Sequence, residues 1–264
     1  MDPLARNHVT VAGNATAPRT MVFVHGLGTD QGAWRDVWPA FADDHRIVLL
    51  DNVGAGRSDP TAFVQTQYLN LHGYARDLVQ VWTALDLAGA VVVGHSVGAM
   101  VAVLASIAAP GRCAKLVLLN ASPRYLDDRG YRGGFSRGDL DAIYSAVSRN
   151  FVGWADGFAP TLMGHPDRPQ LAQHFADTLK QVPAAHALTI LCSIFQSDHR
   201  ADLARIAVPT LIVQTRDDPA VPPEVAAYLH AHIPGSRLAT IEATGHLPHV
   251  SAPAQVVAAI RGFL

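Results

Sequence analysis

Short apolar runs rich in β-branched residues alternate along this chain with longer segments whose apolar residues return every three or four positions. The first kind predicts strands at Val9–Val11, Met21–Val24, Ile47–Leu50, Val91–Val93, Leu116–Leu119, Leu211–Gln214 and Leu238–Ile241. The second predicts helices at Ala33–Ala42, Gly73–Leu87, Val97–Ala108, Pro223–His232 and Pro253–Phe263, with Leu78, Val81, Trp82 and Leu85 forming one buried face of the second. Strands this uniformly apolar, separated by helices, belong in a mostly parallel sheet covered on both faces, an α/β architecture. Between Ala121 and about Ile206 the strand-like runs vanish and helical patterns follow one another at Asp139–Phe151, Gly153–Met163, Gln170–Gln181 and Ala184–Phe195. Ser136 has the chemistry to cap the first of these, and Pro183 suits the opening turn of the last. The predicted organisation is a core domain built from residues 1–121 and 207–264. Residues 122–206 form a helical lid inserted into it, over one end of the sheet.

Composition narrows the possible functions. Of 264 residues, 49% are hydrophobic and 16% charged, which fits a globular core and argues against disorder. A net charge of −2 without any Lys/Arg run makes nucleic acid and anionic membrane surfaces poor partners. No apolar run approaches the ~20 residues of a membrane span, and the first residues lack the apolar stretch of a secretory leader. A cytoplasmic protein is expected. Cys113 and Cys192 are the only cysteines, and their spacing predicts two small buried side chains without a disulfide or metal role.

The chemistry concentrates at Gly94-His95-Ser96-Val97-Gly98, which joins a predicted strand to a predicted helix. Gly-x-Ser-x-Gly in that context is the nucleophile elbow, a strained turn that lifts a serine hydroxyl out of the sheet and aims helix N–H groups at developing charge. In this arrangement the acid and then the base follow the serine in chain order. The strand Leu211–Gln214 runs into Asp217-Asp218, so either carboxylate could orient a histidine, and the last strand runs into Gly245-His246. His246 is the expected general base and Ser96 the nucleophile. The oxyanion donors are expected to be the backbone N–H groups of Val97 and of Leu27, in the loop after Val22-Phe23-Val24. His25 and His249 read as packing or scaffold residues. Gly54-Ala55-Gly56 lacks the third glycine of a dinucleotide site. His165, His174, His186 and His199 lack ligand spacing and read as solvated or capping groups, so no metal is predicted.

A wider set of motifs accompanies these residues. It comprises His25-Gly26-Leu27-Gly28-Thr29-Asp30-Gln31 with Trp34, Ser122-Pro123-Arg124-Tyr125-Leu126, and Gly133-Gly134-Phe135. Trp154 with Gly157-Phe158-Ala159-Pro160, Phe195-Gln196-Ser197-Asp198, Asp218-Pro219-Ala220-Val221-Pro222 and Gly245-His246-Leu247-Pro248-His249 complete it. Through them the chain resembles, from about Val9 onward and lid included, one branch of the α/β-hydrolases: the bacterial stress-response regulator RsbQ and the plant strigolactone and karrikin receptors. The resemblance implies Ser96, Asp218 and His246 as a catalytic triad, Asp218 being preferred over Asp217 by motif spacing. It also implies a four-helix V-shaped lid over an apolar pocket lined by Leu27, His95, Tyr125, Trp154, Phe158, Ile194 and Phe195. Two departures stand out: Leu27 replaces a frequent phenylalanine, and Pro219 directly follows the acid.

Two functions follow from the sequence. One is a cofactor-free serine hydrolase acting on a small apolar ester or lactone, a butenolide in family terms. The other is a ligand-binding regulator with slow turnover that works through a protein partner at the lid, as RsbQ-like proteins work beside a PAS-domain phosphatase. The resemblance implies a monomer in either case. Haloperoxidases and carbon–carbon bond hydrolases share the Ser–His–Asp core, whereas haloalkane dehalogenation needs a carboxylate where this chain has Ser96.

Overall fold

The computed structural model describes residues 1–264. Seven strands form one sheet: β1 (Thr10–Gly13), β2 (Thr20–Val24), β3 (Arg46–Leu50), β4 (Ala90–His95), β5 (Cys113–Leu119), β6 (Thr210–Asp217) and β7 (Arg237–Thr244). Their spatial order is β1-β3-β2-β4-β5-β6-β7, with β1 antiparallel at one edge and every other pairing parallel. All seven predicted strands are present, and β4, the strand that leads to Ser96, is buried along its whole length.

The helices are α1 (Pro3–Arg6), α2 (Leu71–Ala84), α3 (Val97–Ala108), α4 (Arg137–Met163), α5 (Pro169–Leu179), α6 (Ala184–Phe195), α7 (Pro223–His232), α8 (Pro248–Ser251) and α9 (Pro253–Arg261). One face of the sheet packs on α2, α3 and α7 in a large apolar core that continues without a break into α4–α6. The other face packs on a smaller core closed by Trp34, Phe41, Val256, Ile260 and Phe263. The helix predicted at Ala33–Ala42 is instead two 3-10 turns, Gln31–Trp34 and Trp38–Phe41. Asp30 caps the first by accepting from the Gly32 N–H at 2.7 Å, and Pro39 cannot donate the bond that would fuse the two.

The helices predicted between β5 and β6 are also present. Ser136 opens α4 with a capping box: its hydroxyl accepts from the Asp139 N–H while the Asp139 carboxylate accepts from the Ser136 N–H. At Asn150 the backbone leaves the helix (φ −157°, ψ 86°), so α4 is two helical pieces. The Asn150 side chain accepts from the Gly153 N–H at 3.0 Å and caps the second piece, which places the break slightly earlier than sequence pattern predicts. A cluster at the neck of this insert joins Arg124 and Arg200 to Asp128 and Asp198, tying its entry to its exit. Cys113 is buried, Cys192 is half-buried, and both are free thiols. No helix is long and apolar enough to cross a membrane.

Candidate active site

Four segments meet at the C-terminal edge of the sheet. Ser96 caps α3 with φ 53° and ψ −126°, a conformation costly for a residue with a Cβ. The turn closes this tightly because Gly98 lies on the β2 end: a Cβ there would collide with the His25 carbonyl oxygen and sit 2.6 Å from that of Val24. The elbow and the His25–Gly28 loop are thereby held against one another. Val97 opens α3, so its N–H has no acceptor within the helix, and the Leu27 N–H donates to no protein group. Both expected oxyanion donors are free.

His246 Nε2 lies 2.8 Å from Ser96 Oγ. On its other side Nδ1 is 2.8 Å and 3.1 Å from the two carboxylate oxygens of Asp218. The Asp218 side chain is fully buried, whereas Asp217 is exposed at the end of β6. The backbone N–H groups of Ala220 and Val221 donate to Asp218 Oδ1, and the Asn120 side-chain amide donates to Oδ2 at 2.7 Å. Sequence reasoning missed Asn120. It follows β5 with φ 46° and also donates to Thr215 Oγ1, whose hydroxyl donates in turn to the Gly245 carbonyl. A polar residue directly after a buried apolar strand, of a type that tolerates left-handed backbone better than most, was the available signal.

The cavity above Ser96 is lined by Leu27, His95, Tyr125, Phe158, Ile194 and Phe195 from the predicted set. Phe135, Leu162, Phe175, Ala220 and Leu247 also contribute, none of which the sequence had assigned to the pocket. Trp154 is outside this lining. It stacks on Phe158 at 4.6 Å from one turn earlier on the same helix face, both rings being half-buried, and supports that wall from behind. The cavity is narrow and mostly apolar, with Ser96 and His246 on its floor. Leu27 and Ile194 separate it from a second apolar pocket under the Leu27 loop, which Val53, Tyr74 and Val101 also line.

Three histidine rings pack at tilted angles beneath the site: His246 against His95 at 5.0 Å, and His95 against His249 at 4.3 Å, with Trp34 against His249. His95 Nε2 donates to the His246 carbonyl at 2.7 Å, which fixes the loop that carries the base. His249 has no hydrogen-bond partner and packs purely as a ring. His25 is a scaffold residue: Nδ1 donates to the Gly26 carbonyl while Nε2 accepts from the Asn52 N–H. His199, buried beside Asp202, and His186, stacked on Phe63, are packed instead of solvated. Asp51, after the Gly-x-Gly segment's strand, is structural, accepting from the Gln31 and Arg57 N–H groups.

Burial depresses the pKa of His95 well below the ordinary value and that of His249 to about 3, helped by repulsion from neighbouring imidazoles. Both therefore stay neutral in the folded chain at pH values where the unfolded chain takes up protons. Folding stability should fall as pH drops below 6.5, by about 1.4 kcal/mol per pH unit for each of the two histidines. Urea unfolding at a series of pH values measures the slope, and His249→Phe should reduce it by about 1.4 kcal/mol per pH unit.

The family model described as the alpha/beta hydrolase fold matches residues 19–253. The chain belongs to the α/β-hydrolase family. It is 42% identical over 240 residues to the Karrikin insensitive 2 receptor CA of Petunia hybrida, covering 90% of this chain and 89% of that protein. To the Strigolactone esterase D14 of Arabidopsis thaliana it is 39% identical over 255 residues, covering 96% and 94%. A solved hydrolase from Oleispira antarctica superposes with a TM-score of 0.96 at 32% identity, over 99% of this chain and 96% of that one. The branch is thus that of the karrikin and strigolactone receptors, as the motifs implied.

Proposed function

We propose that this protein is a cofactor-free serine hydrolase of small apolar esters or lactones, butenolide-like in size and polarity. The observation that carries the reading is the continuous line from Ser96 Oγ through His246 to Asp218, laid on the floor of an apolar cavity. Ser96 Oγ attacks the carbonyl and passes its proton to His246 Nε2, while Asp218 holds the tautomer and stabilises the imidazolium. The Val97 and Leu27 N–H groups receive the oxyanion. Protonated His246 then gives its proton to the departing oxygen, which in a lactone stays tethered to the acyl group. A water deprotonated by His246 releases the acid and restores Ser96. Leu27, His95, Tyr125, Phe158, Ile194 and Phe195 shape the substrate site, with Trp154 acting from behind Phe158.

Intact-protein mass spectrometry after exposure to a panel of butenolides and simple esters tests this reading. An acyl adduct on the wild type that is missing from Ser96→Ala is the expected result. Absence of both adduct and turnover with every ester and lactone would overturn it.

A second reading draws on the relatives, two of which carry the words receptor and esterase in their names. Phe158, Leu162, Phe175, Ile194 and Phe195 of α4–α6 form much of the wall over Ser96, so a ligand that fills the cavity bears directly on these helices. Occupancy would then be written on the outer surface of the insert, where a protein partner can read it. Pull-downs with and without a butenolide should recover a partner only in one state. A partner indifferent both to ligand and to substitutions on α4–α6 counts against signalling.

A further inference from the structure

Ser96 Oγ has a second polar neighbour besides His246: the phenol oxygen of Tyr125, 3.0 Å away. The direction of that hydrogen bond follows from the triad. Nδ1 of His246 faces a carboxylate and so carries the ring proton, leaving Nε2 as an acceptor for the serine O–H. Oγ therefore has only lone pairs to offer the phenol, and Tyr125 must be the donor. Tyr125 is buried, and burial lifts its pKa so far above the ordinary phenol value that it keeps its proton. The ring sits edge-on to Phe195 at 5.5 Å and Phe135 at 6.4 Å, so its orientation is set by packing from the insert.

Resting on the hydrolase reading above, we propose that Tyr125 is a catalytic hydrogen-bond donor that serves the second half of the reaction, when Ser96 becomes the leaving group. The argument is one of differential stabilisation. In acylation the phenol already donates to the serine oxygen in the ground state, so the bond largely cancels between ground and transition states. In the acyl-enzyme that oxygen is an ester oxygen, a poor acceptor. During deacylation the water oxygen bonds to the acyl carbon and the carbon–Oγ bond breaks. Its electron pair stays on Oγ, which then takes the proton from His246. Charge builds on Oγ as the bond breaks, and the Tyr125 O–H strengthens its hydrogen bond at that moment without giving up its own proton.

Tyr125→Phe keeps the ring and removes only the donor. With p-nitrophenyl acetate, we expect the burst rate and kcat/KM to stay within about twofold of wild type. Breakdown of the acetyl-enzyme should slow by about tenfold or more, the loss typical of a hydrogen bond to a charged atom. The acetyl adduct should accumulate in mass spectra taken at steady state. Labelling of Ser96 by a fluorophosphonate shows that the nucleophile and fold are intact. Tyr125→Leu, which lacks both donor and ring, should show the same slowed breakdown. Equal losses in burst rate and breakdown, or no change in either, would overturn the role of Tyr125 while leaving the hydrolase intact. A wild type without turnover would instead overturn the hydrolase reading itself.

Discussion

Ser96→Ala is expected to cut turnover of p-nitrophenyl acetate by about a thousandfold or more while leaving the fold unchanged. The size of the loss follows from what remains in the cavity. Tyr125 is the nearest other hydroxyl, but burial keeps it protonated and it faces no base except through Ser96 itself. His246 would retain its bond to Asp218 with nothing to deprotonate except water. The free Leu27 and Val97 N–H groups would supply residual rate by polarising the carbonyl. Asp218→Asn should produce a loss of similar order by a different route, since its amide can donate to Nδ1 and so push the imidazole proton to the nitrogen that must accept from serine. Asp217→Asn, at an exposed position one residue away, should change turnover by less than about twofold. The three variants together distinguish a Ser96–His246–Asp218 mechanism from adventitious surface hydrolysis, which would survive in all of them.

The parts of this site that were legible in sequence are those whose geometry is local. Gly94–Gly98 specifies its own turn because the steric demands fall within five residues, and a strand of β-branched residues before it settles the direction of approach. His246 and the carboxylate pair were placed by the same logic, each just beyond a strand end. Asn120 escaped because its role is a convergence of three strand ends, β5, β6 and β7, and its local signal, a polar residue just past a buried strand, does not say which groups it meets. The cavity walls were half legible. Helical periodicity shows which residues of α4–α6 are apolar but not which of two stacked rings faces in, hence Trp154 standing behind Phe158. The segment at 31–41 illustrates a different limit: Trp34 and Phe41 have helical spacing, yet Pro39 and the Asp30 cap divide the chain into two tight turns that still deliver both rings to the core.

Gly245→Ala should be the most damaging single-methyl addition outside the elbow, and its effect should reach both stability and turnover. Gly245 has φ +90°, and a Cβ there would collide with the Met163 carbonyl oxygen at the end of α4. The clash involves backbone on both sides, so no side-chain rotation relieves it. The residue is pinned from other directions as well: its N–H donates to the Asp217 carbonyl at 2.7 Å, and its own carbonyl accepts from the Thr215 hydroxyl at 2.9 Å. The next N–H, that of His246, donates to the Leu162 carbonyl at 2.8 Å. Relief must therefore come from moving the histidine loop away from α4, which breaks that last bond and pulls the imidazole from Ser96. We expect a destabilisation of about 3 kcal/mol or more, seen as a Tm lower by about 5 °C or more. A displacement of about 1 Å at the base should lower kcat/KM by about a hundredfold. Gly157→Ala serves as the matched comparison, because that glycine lies on an exposed helical face with nothing within 4 Å of an added Cβ. It should gain about 0.5–1 kcal/mol from helix propensity alone. Equal behaviour of the two variants would mean that the contact between α4 and the histidine loop does not hold the base in place. The coupling of the helical insert to the chemistry would then have to run through another route.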